Sequence, residues 1–393
     1  MKNKGTIIFF STPAYGHVNP ALPIVNHLVC QGYKVVFYSS EEFRKAASES
    51  GAEFRCYDFG KLNFDPQIGS RILCLTELIL HFTNNHLEEF VNQVKAISPV
   101  LIIHDTLAFW GRAVAQILGI KAVSLNTLVT VPRYFSKTFL MYTIRFTGSS
   151  MQELKCLPNI IRSKKELKAK YHLRHTDLLS LLMNQERLNV YTYPRAVHPD
   201  GRKMRKNHFF LGTSALLRKN NFFVQEKYDK KNLIYVSLGT VFNSSHAFWE
   251  RIFSGFAGSE YNLVVSCGAQ YEKLLSAGVP DNIMLRKYVD QKKILQNAVL
   301  FITAGGMNSI CEAAANGVPC LLCPQQGEQA INAKSFEHLG LGKILKKSDR
   351  IFEASVKMFK NFKVNENSVK EFSTVRMKEL TEKIQNYISR SEG

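Results

Sequence analysis

Between residues 299 and 324 the chain runs through a strand, a glycine turn, a helix start and a second strand without interruption. Val299-Leu300-Phe301-Ile302-Thr303 has the length and apolar content of a buried strand. Gly305-Gly306 follow as a turn, and residues 308–315 have the composition of a helix start and its first turns. Gly317-Val318-Pro319 ends the helix, and Cys320-Leu321-Leu322-Cys323-Pro324 reads as the next buried strand. Two apolar strands joined through a helix form a βαβ unit, which commits this part of the chain to a layered α/β domain. The same unit makes an anion site. Glycines let the backbone approach closely, amides at the helix start point outward, and the helix dipole favours negative charge. Ligands of open α/β sheets bind here, at the carboxyl ends of the strands. Taken alone, a glycine turn before a helix is also an ordinary way of turning the chain.

The amino terminus repeats the arrangement. Residues 5–10 read as a strand, residues 11–20 as a turn, and residues 21–31 as a helix that stops at Gly32, ahead of a strand at 33–38. Residues 99–103 form another apolar run, ending in His104-Asp105 before a helix that begins near Trp110-Gly111. Further strands are expected at 121–125 and 188–192. A second series follows at 233–238, 262–266 and 283–286, and an amphipathic helix at 371–388. Residues 213–229 are polar and basic, as in a linker.

From Arg286 to Gly342 the sequence resembles the donor-binding signature of the UDP-glycosyltransferases of the GT-B fold, in particular their bacterial macrolide-glycosyltransferase-like branch. That pattern runs aromatic, two residues, Gln, a strand, T-H-G-G-M-N-S, two residues, Glu, G-V-P, a strand, Pro, and Asp/Glu-Gln before N-A. Tyr288, Gln291, Gly305, Gly306, Met307, Asn308, Ser309, Glu312, Gly317, Val318, Pro319, Pro324, Glu328, Gln329, Asn332 and Ala333 fall in register. One position departs: Ala304 stands where the family has His. The family also opens on a strand, P-x-x-G-H-x-x-P and a helix, matched by Pro13, Gly16, His17 and Pro20.

The resemblance implies an α/β protein of GT-B fold, with two Rossmann-like parallel-sheet domains facing across a cleft. Residues 1–212 would form the acceptor-binding domain, 213–229 the linker and 230–375 the nucleotide-sugar domain. The helix at 376–393 would pack back on the first domain. Tyr288 would stack on the base, Gln291 would meet base and ribose, and Glu312 would accept from the ribose hydroxyls. Asn308 and Ser309 would donate to the diphosphate, alongside Gly305 and Gly306, with Gly239 and Thr240 forming a second phosphate-facing turn. Glu328 and Gln329 would hold the sugar hydroxyls. Singly, Asn308 and Ser309 also suit helix capping, and Glu312 a first-turn position. Tyr288, Gln291, Glu312 and Gln329 together have no such common explanation.

His17 would be the base that takes a proton from the acceptor hydroxyl as it attacks the anomeric carbon. A carboxylate on its other nitrogen orients the ring and stabilises the imidazolium, and Asp105 holds the family's position for it. A lone loop His is otherwise a solvated or capping residue, Asp105 otherwise an N-cap, and His104 is the rival base. The implied reaction is inverting transfer of a hexose from a UDP-sugar or dTDP-sugar to a small, largely apolar acceptor such as a macrolide, a phenolic or another secondary metabolite. Residues 64–89 and 131–146, rich in Phe, Leu, Ile and Tyr, would line the acceptor cleft or simply form core helix faces. No metal or cofactor is implied, because amides and a helix dipole can stabilise the leaving diphosphate. Three alternatives stay open: a catalytically silent sugar-nucleotide-binding partner protein, a GT-B epimerase, and a transferase acting on a lipid-linked acceptor.

Composition narrows the setting. The 393 residues suffice for two or three domains, and 45% hydrophobic with 21% charged residues is ordinary for a globular chain. The net charge of +19 leaves nucleic acid, anionic membrane or acidic substrates as candidate partners. The basic clusters at 162–170, 202–206, 227–231 and along the last forty residues lack the interleaved aromatics of a nucleic-acid platform, so solvated faces or peripheral contact with anionic lipid are expected. Eight scattered cysteines (30, 56, 74, 156, 267, 311, 320 and 323) read as reduced core residues of a cytoplasmic protein. Cys320 and Cys323 have redox spacing but lie on an expected buried strand, without a partner pair. No apolar run reaches membrane-span length, and the run after Lys2 and Lys4 is too short for a signal peptide.

Overall fold

The computed structural model describes residues 4–57, 71–129, 151–174, 176–217, 232–239, 246–346 and 348–390. The chain divides into two units, Met1–Thr192 with Arg202–Arg218 and Val375–Gly393, and Tyr193–Gly201 with Lys219–Thr374.

The first unit runs β1 (Thr6–Phe10), α1 (Tyr15–Cys30), β2 (Lys34–Ser39), α2 (Arg44–Glu49), β3 (Glu53–Cys56), α3 (Ile72–Ile97), β4 (Leu101–Asp105), α4 (Phe109–Leu118) and β5 (Ala122–Asn126). It continues with α5 (Met151–Leu154), α6 (Leu157–Tyr171), α7 (Leu178–Met183), β6 (Leu188–Tyr191) and β7 (His208–Phe210). The seven strands lie parallel in the order β3-β2-β1-β4-β5-β6-β7. Because helices cover both faces, the central strands are mostly apolar rather than alternating, while the edge strand β3 carries Glu53 and Arg55. Ile7, Phe9, Ile103 and Phe37 enter one core with Val18, Ala21 and Val25 of α1. Their neighbours Ile8, Phe10, Ile102 and Tyr38 enter the other, with Leu80, Phe90 and Val94 of α3 and Trp110 of α4. The period-two turn of a strand distributes one run between two cores.

The second unit runs β8 (Leu233–Ser237), α8 (His246–Phe256), β9 (Asn262–Ser266), α9 (Tyr271–Ser276), β10 (Ile283–Arg286), α10 (Gln291–Leu295), β11 (Leu300–Thr303) and α11 (Met307–Ala315). It ends with β12 (Cys320–Leu322), α12 (Gly327–His338), β13 (Gly342–Ile344), α13 (Ile351–Asn361) and α14 (Glu366–Ser373). Its six strands are also parallel, in the order β10-β9-β8-β11-β12-β13. Both sheets therefore reverse strand order beside their first strand, between β1 and β4 and between β8 and β11. This reversal creates the crevice in which such sheets hold ligands.

Several expectations need correction. Helix α1 begins at Tyr15 rather than at residue 21, so His17 sits in its first turn and Pro20 and Pro23 lie inside it. A proline inside a helix removes a backbone bond and costs about 3 kcal/mol. Burial of Val18, Pro20, Ala21, Leu22, Ile24 and Val25 along the same helix offsets that loss. The helix expected at 371–388 is two: α14, and α15 (Met377–Ser389), separated where Val375 bridges Gly212 and the Arg376 amide donates to the Leu211 carbonyl. Met377, Leu380 and Ile384 of α15 enter the first unit's core. Cys30 and Cys56 are exposed rather than in the core, one at the end of α1 and one on the edge strand β3. None of the eight cysteines forms a disulfide, and burial pushes the Cys323 thiol up to about 12, away from redox reactivity. No helix among the described residues is long and apolar enough to cross a membrane. The expected acceptor segment 131–146, the start of the other at 64–70, Thr240, the basic cluster at 227–231 and most of the expected linker, 218–229, lie outside the described residues.

Candidate active site

In the first unit, β1 and β4 pair with Phe10 opposite His104, so the turn after β1 and the end of β4 emerge together. There His17 Nδ1 lies 2.8 Å from Asp105 Oδ2 and 2.9 Å from Oδ1. Two threonines complete the cluster. Thr12 Oγ1 donates to Asp105 Oδ1 at 2.5 Å, and the Leu107 amide donates to the same oxygen at 3.0 Å. Thr127, just past β5, places Oγ1 2.9 Å from His17 Nδ1 and 3.3 Å from Asp105 Oδ2. His17 is 8% exposed and Asp105 1%. Burial pushes the Asp105 carboxyl up; the neighbouring His17, the Thr12 hydroxyl and the Leu107 amide more than reverse this, leaving it below the usual carboxylate range. An ionised carboxylate with three protein donors requires the His17 tautomer that carries its proton on Nδ1. The lone pair then resides on Nε2, the atom that can accept a proton from a hydroxyl.

Asp105 does not cap the following helix, whose N-cap is Ala108. The rival His104 projects from the opposite face of β4, where Asn184 Nδ2 donates to Nδ1 at 3.1 Å and Glu186 Oε1 lies 3.2 Å from Nε2. Asn184 also donates to the Asp105 carbonyl at 3.1 Å, tying this buried cluster to the strand end. Thr12 and Thr127 went unnoticed in the sequence. Both follow the ends of strands that flank β4 in the sheet, and only that adjacency identifies them.

In the second unit Ser237 pairs with Thr303, so Gly239 and Gly305, each two residues farther on, leave the sheet at the same edge. Both adopt φ of +88°. A Cβ on Gly305 would also lie 3.3 Å from the Gln329 carbonyl oxygen. Gly306 is the N-cap of α11, and no side chain caps that helix. Ser309 therefore is not a cap, and its hydroxyl instead meets Gln291 Nε2 at 3.3 Å. The same amide nitrogen donates to Glu312 Oε2 at 2.7 Å, while Tyr235 donates its hydroxyl to Gln291 Oε1 at 3.3 Å. Gln291 is positioned by Asp290, which caps α10 by accepting from the Lys293 amide. The fold thus brings Gln291, Ser309 and the 4%-exposed Glu312 into one chain of polar contacts.

Glu328 and Gln329 open α12. Asn332 Nδ2 donates both to the Gly305 carbonyl (3.0 Å) and to Glu328 Oε1 (3.1 Å), linking the glycine turn to that helix. Gln329 is buried, and its Oε1 accepts from the Gln325 amide at 2.8 Å. Asn308 is half-buried in the first turn of α11, and Tyr288 stands 56% exposed just past β10. Ala304 packs inside the apolar core of this unit with Leu238, Leu321 and Cys323. Asn332 and Tyr235 are contributors that sequence reasoning did not assign, although Asn332 sat within the matched pattern.

Residues 210–384 match the glycosyltransferase family 28 C-terminal domain. Over 361 residues the chain is 31% identical to the NDP-glycosyltransferase YjiC of Bacillus licheniformis, covering 87% of this chain and 85% of that one. It is 25% identical over 346 residues to the oleandomycin glycosyltransferase of Streptomyces antibioticus, covering 86% and 79%. The crystal structure of the kitacinnamycin glycotransferase superposes with a TM-score of 0.82 at 22% identity, over 98% of this chain and 99% of that one. Two Rossmann-like parallel sheets, a glycine-turned helix start and this degree of kinship lead to one assignment: the chain is a glycosyltransferase of the antibiotic and secondary-metabolite type and belongs to the UDP-glycosyltransferase family of the GT-B fold, in its macrolide-glycosyltransferase-like branch.

Proposed function

We propose that this enzyme moves a hexose, with inversion at the anomeric carbon, from a nucleoside-diphosphate sugar to a hydroxyl of a small, largely apolar acceptor. A UDP-sugar is the favoured donor and a dTDP-sugar the second. The observation that carries the reading is the Nδ1 bond from His17 to the Asp105 carboxylate, which leaves Nε2 as the basic atom of a buried imidazole. His17 Nε2 takes the acceptor's proton as its oxygen bonds to the anomeric carbon. The bond from that carbon to the diphosphate oxygen breaks, and Asp105 stabilises the imidazolium that forms. Direct displacement by the acceptor oxygen inverts the centre.

The second unit would hold the donor. Glu312 is suited to accept from ribose hydroxyls, with Gln291 fixing its carboxylate. The amides from Gly305 to Ser309, with the α11 dipole, would receive the charge that develops on the leaving diphosphate. No metal is required in this scheme. Gly239, with Thr240, would add a second phosphate-facing turn, Asn308 and Ser309 would donate to the diphosphate, Glu328 and Gln329 would meet the sugar, and the exposed ring of Tyr288 offers a face for the base. The names of two relatives, an NDP-glycosyltransferase and an oleandomycin glycosyltransferase, support a nucleoside-diphosphate donor and a secondary-metabolite acceptor.

The test is a calorimetric screen of UDP- and dTDP-sugars, followed by mass analysis of products with macrolide and phenolic acceptors. The anomeric configuration of any product is then read by NMR. A sugar adduct of inverted configuration that disappears with His17→Ala supports the reading. A product of retained configuration overturns it.

A further inference from the structure

Three of the large apolar side chains that stand exposed among the described residues fall within eight positions: Leu154 (53% exposed), Leu157 (37%) and Ile161 (52%). Leu157 and Ile161, four residues apart, share one face of α6, and Leu154 ends α5 just before that helix. The adjoining face of α6 buries Ile160 and Leu167 in the core that α3 also lines. Along the flank, Asn159 Nδ2 donates to Glu77 Oε1 at 2.5 Å, Asn84 Nδ2 to Glu166 Oε2 at 3.1 Å, and Lys170 Nζ to Glu88 Oε2 at 2.7 Å. These bonds hold Glu166, the one acid of α6, toward α3, and hold Glu77 and Glu88 of α3 against α6. The remaining acid of α5 and α6, Glu153, is buried.

The outward side is then apolar and cationic. Lys155, Arg162, Lys165 and Lys168 are all exposed, and Lys165 and Lys168 continue the row that starts with Leu157 and Ile161. Aliphatic side chains bordered by long basic ones form the face of a helix that lies in a bilayer interface. The apolar chains enter the headgroup–acyl boundary while lysine stems snorkel to anionic headgroups. A chain of net charge +19 is drawn to such a surface over the reach of its field. A second copy of the chain would set like charges against each other, and a nucleic acid would find no aromatic ring to stack on in this row.

We propose that the outward face of α5 and α6 is a docking surface for an anionic lipid bilayer. Leu154, Leu157 and Ile161 enter the interface, and Lys155, Arg162, Lys165 and Lys168 meet the headgroups. The contact is peripheral and independent of which acceptor the enzyme uses.

Flotation of the purified full chain tests this, with vesicles of phosphatidylcholine alone and of two parts phosphatidylcholine to one part phosphatidylglycerol. The wild type should float with the mixed vesicles only, and less so as salt screens the headgroups. Lys165→Gln and Lys168→Gln should each weaken partition about five-fold, and Leu157→Ser with Ile161→Ser should abolish flotation. A charge-matched control, Lys360→Gln with Lys363→Gln, should keep wild-type partition. All variants should retain the wild-type circular dichroism and nucleotide affinity. Failure of the wild type to float, or equal loss in the control, overturns the proposal. So does a concentration-dependent dimer that Leu157→Ser with Ile161→Ser dissolves without any vesicle binding, since it assigns the face to a second copy.

Discussion

His17 and Asp105 are 88 residues apart in the chain, yet His17 Nδ1 lies 2.8 Å from Asp105 Oδ2. The parallel pairing of β1 with β4 produces this contact, because it aligns the exit of one strand with the exit of the other. Thr12 and Thr127 hold the carboxylate from either side.

His17→Ala should lower the transfer rate by about 10²–10⁴-fold, the usual contribution of a general base. Nucleotide affinity should stay at the wild-type value, because no donor-binding candidate belongs to the first unit. Single-turnover kinetics beside calorimetry with UDP separates the two effects. Transfer at near wild-type rate would remove His17 from the mechanism.

Asp105 also makes acid stability measurable. Its folded carboxyl sits below the ordinary value, so the unfolded chain binds more protons in that interval. The stabilisation is fully present above about pH 4, the unfolded carboxylate value, and is lost as pH falls through the folded value. Urea unfolding of wild type and Asp105→Asn across this range should show a difference that shrinks with acidification. Asp105→Asn should also slow transfer at neutral pH, by loss of imidazolium stabilisation. A pH-independent stability difference would contradict the ionised, hydrogen-bonded carboxylate.

Glu312→Ala should weaken UDP binding by about 1.5–3 kcal/mol, the range for hydrogen bonds to a charged group. Acceptor affinity should change little. The 2.7 Å bond from Gln291 predicts that Gln291→Ala weakens binding in the same direction, with less than additive loss in the double variant. Unchanged UDP affinity in Glu312→Ala would reduce this carboxylate to a structural partner of Gln291.

Gly305→Ala should destabilise the second unit by about 1–2 kcal/mol, the cost of a left-handed backbone for a residue with a Cβ. Contact with the Gln329 carbonyl at 3.3 Å adds to that cost. Gly239→Ala has the same φ and nothing within 4 Å of its Cβ, so it should be the milder change. Urea midpoints of the two variants settle the order.

Ala304→His should raise turnover, because an imidazole at the strand end can donate to the departing diphosphate; a donor of this kind is worth about 2–4 kcal/mol. The structure adds a cost to that gain. Ala304 is 2% exposed within an apolar cluster, so the larger polar ring should also lower the melting temperature. A stable variant with no gain in transfer or donor hydrolysis would show that position 304 does not face the diphosphate.

The local elements were legible from the chain alone wherever a strand is buried on both faces. Residues 5–10 and 262–266 read as strands and form them at 6–10 and 262–266, because an apolar run between turn residues has few other uses. The glycine turn at 305–306, the helix start after it and the kinship of the whole chain were equally plain. Their signals lie within consecutive residues. Pro20 pointed to a turn, and burial of the surrounding helix overrode it. Thr12, Thr127 and Asn332 carry no local mark of their roles. Each becomes a partner only when parallel pairing aligns strand ends or packing brings α12 to the glycine turn. A sequence records which residues can donate, accept or turn the chain; the distances over which they do so belong to the sheet that brings them together.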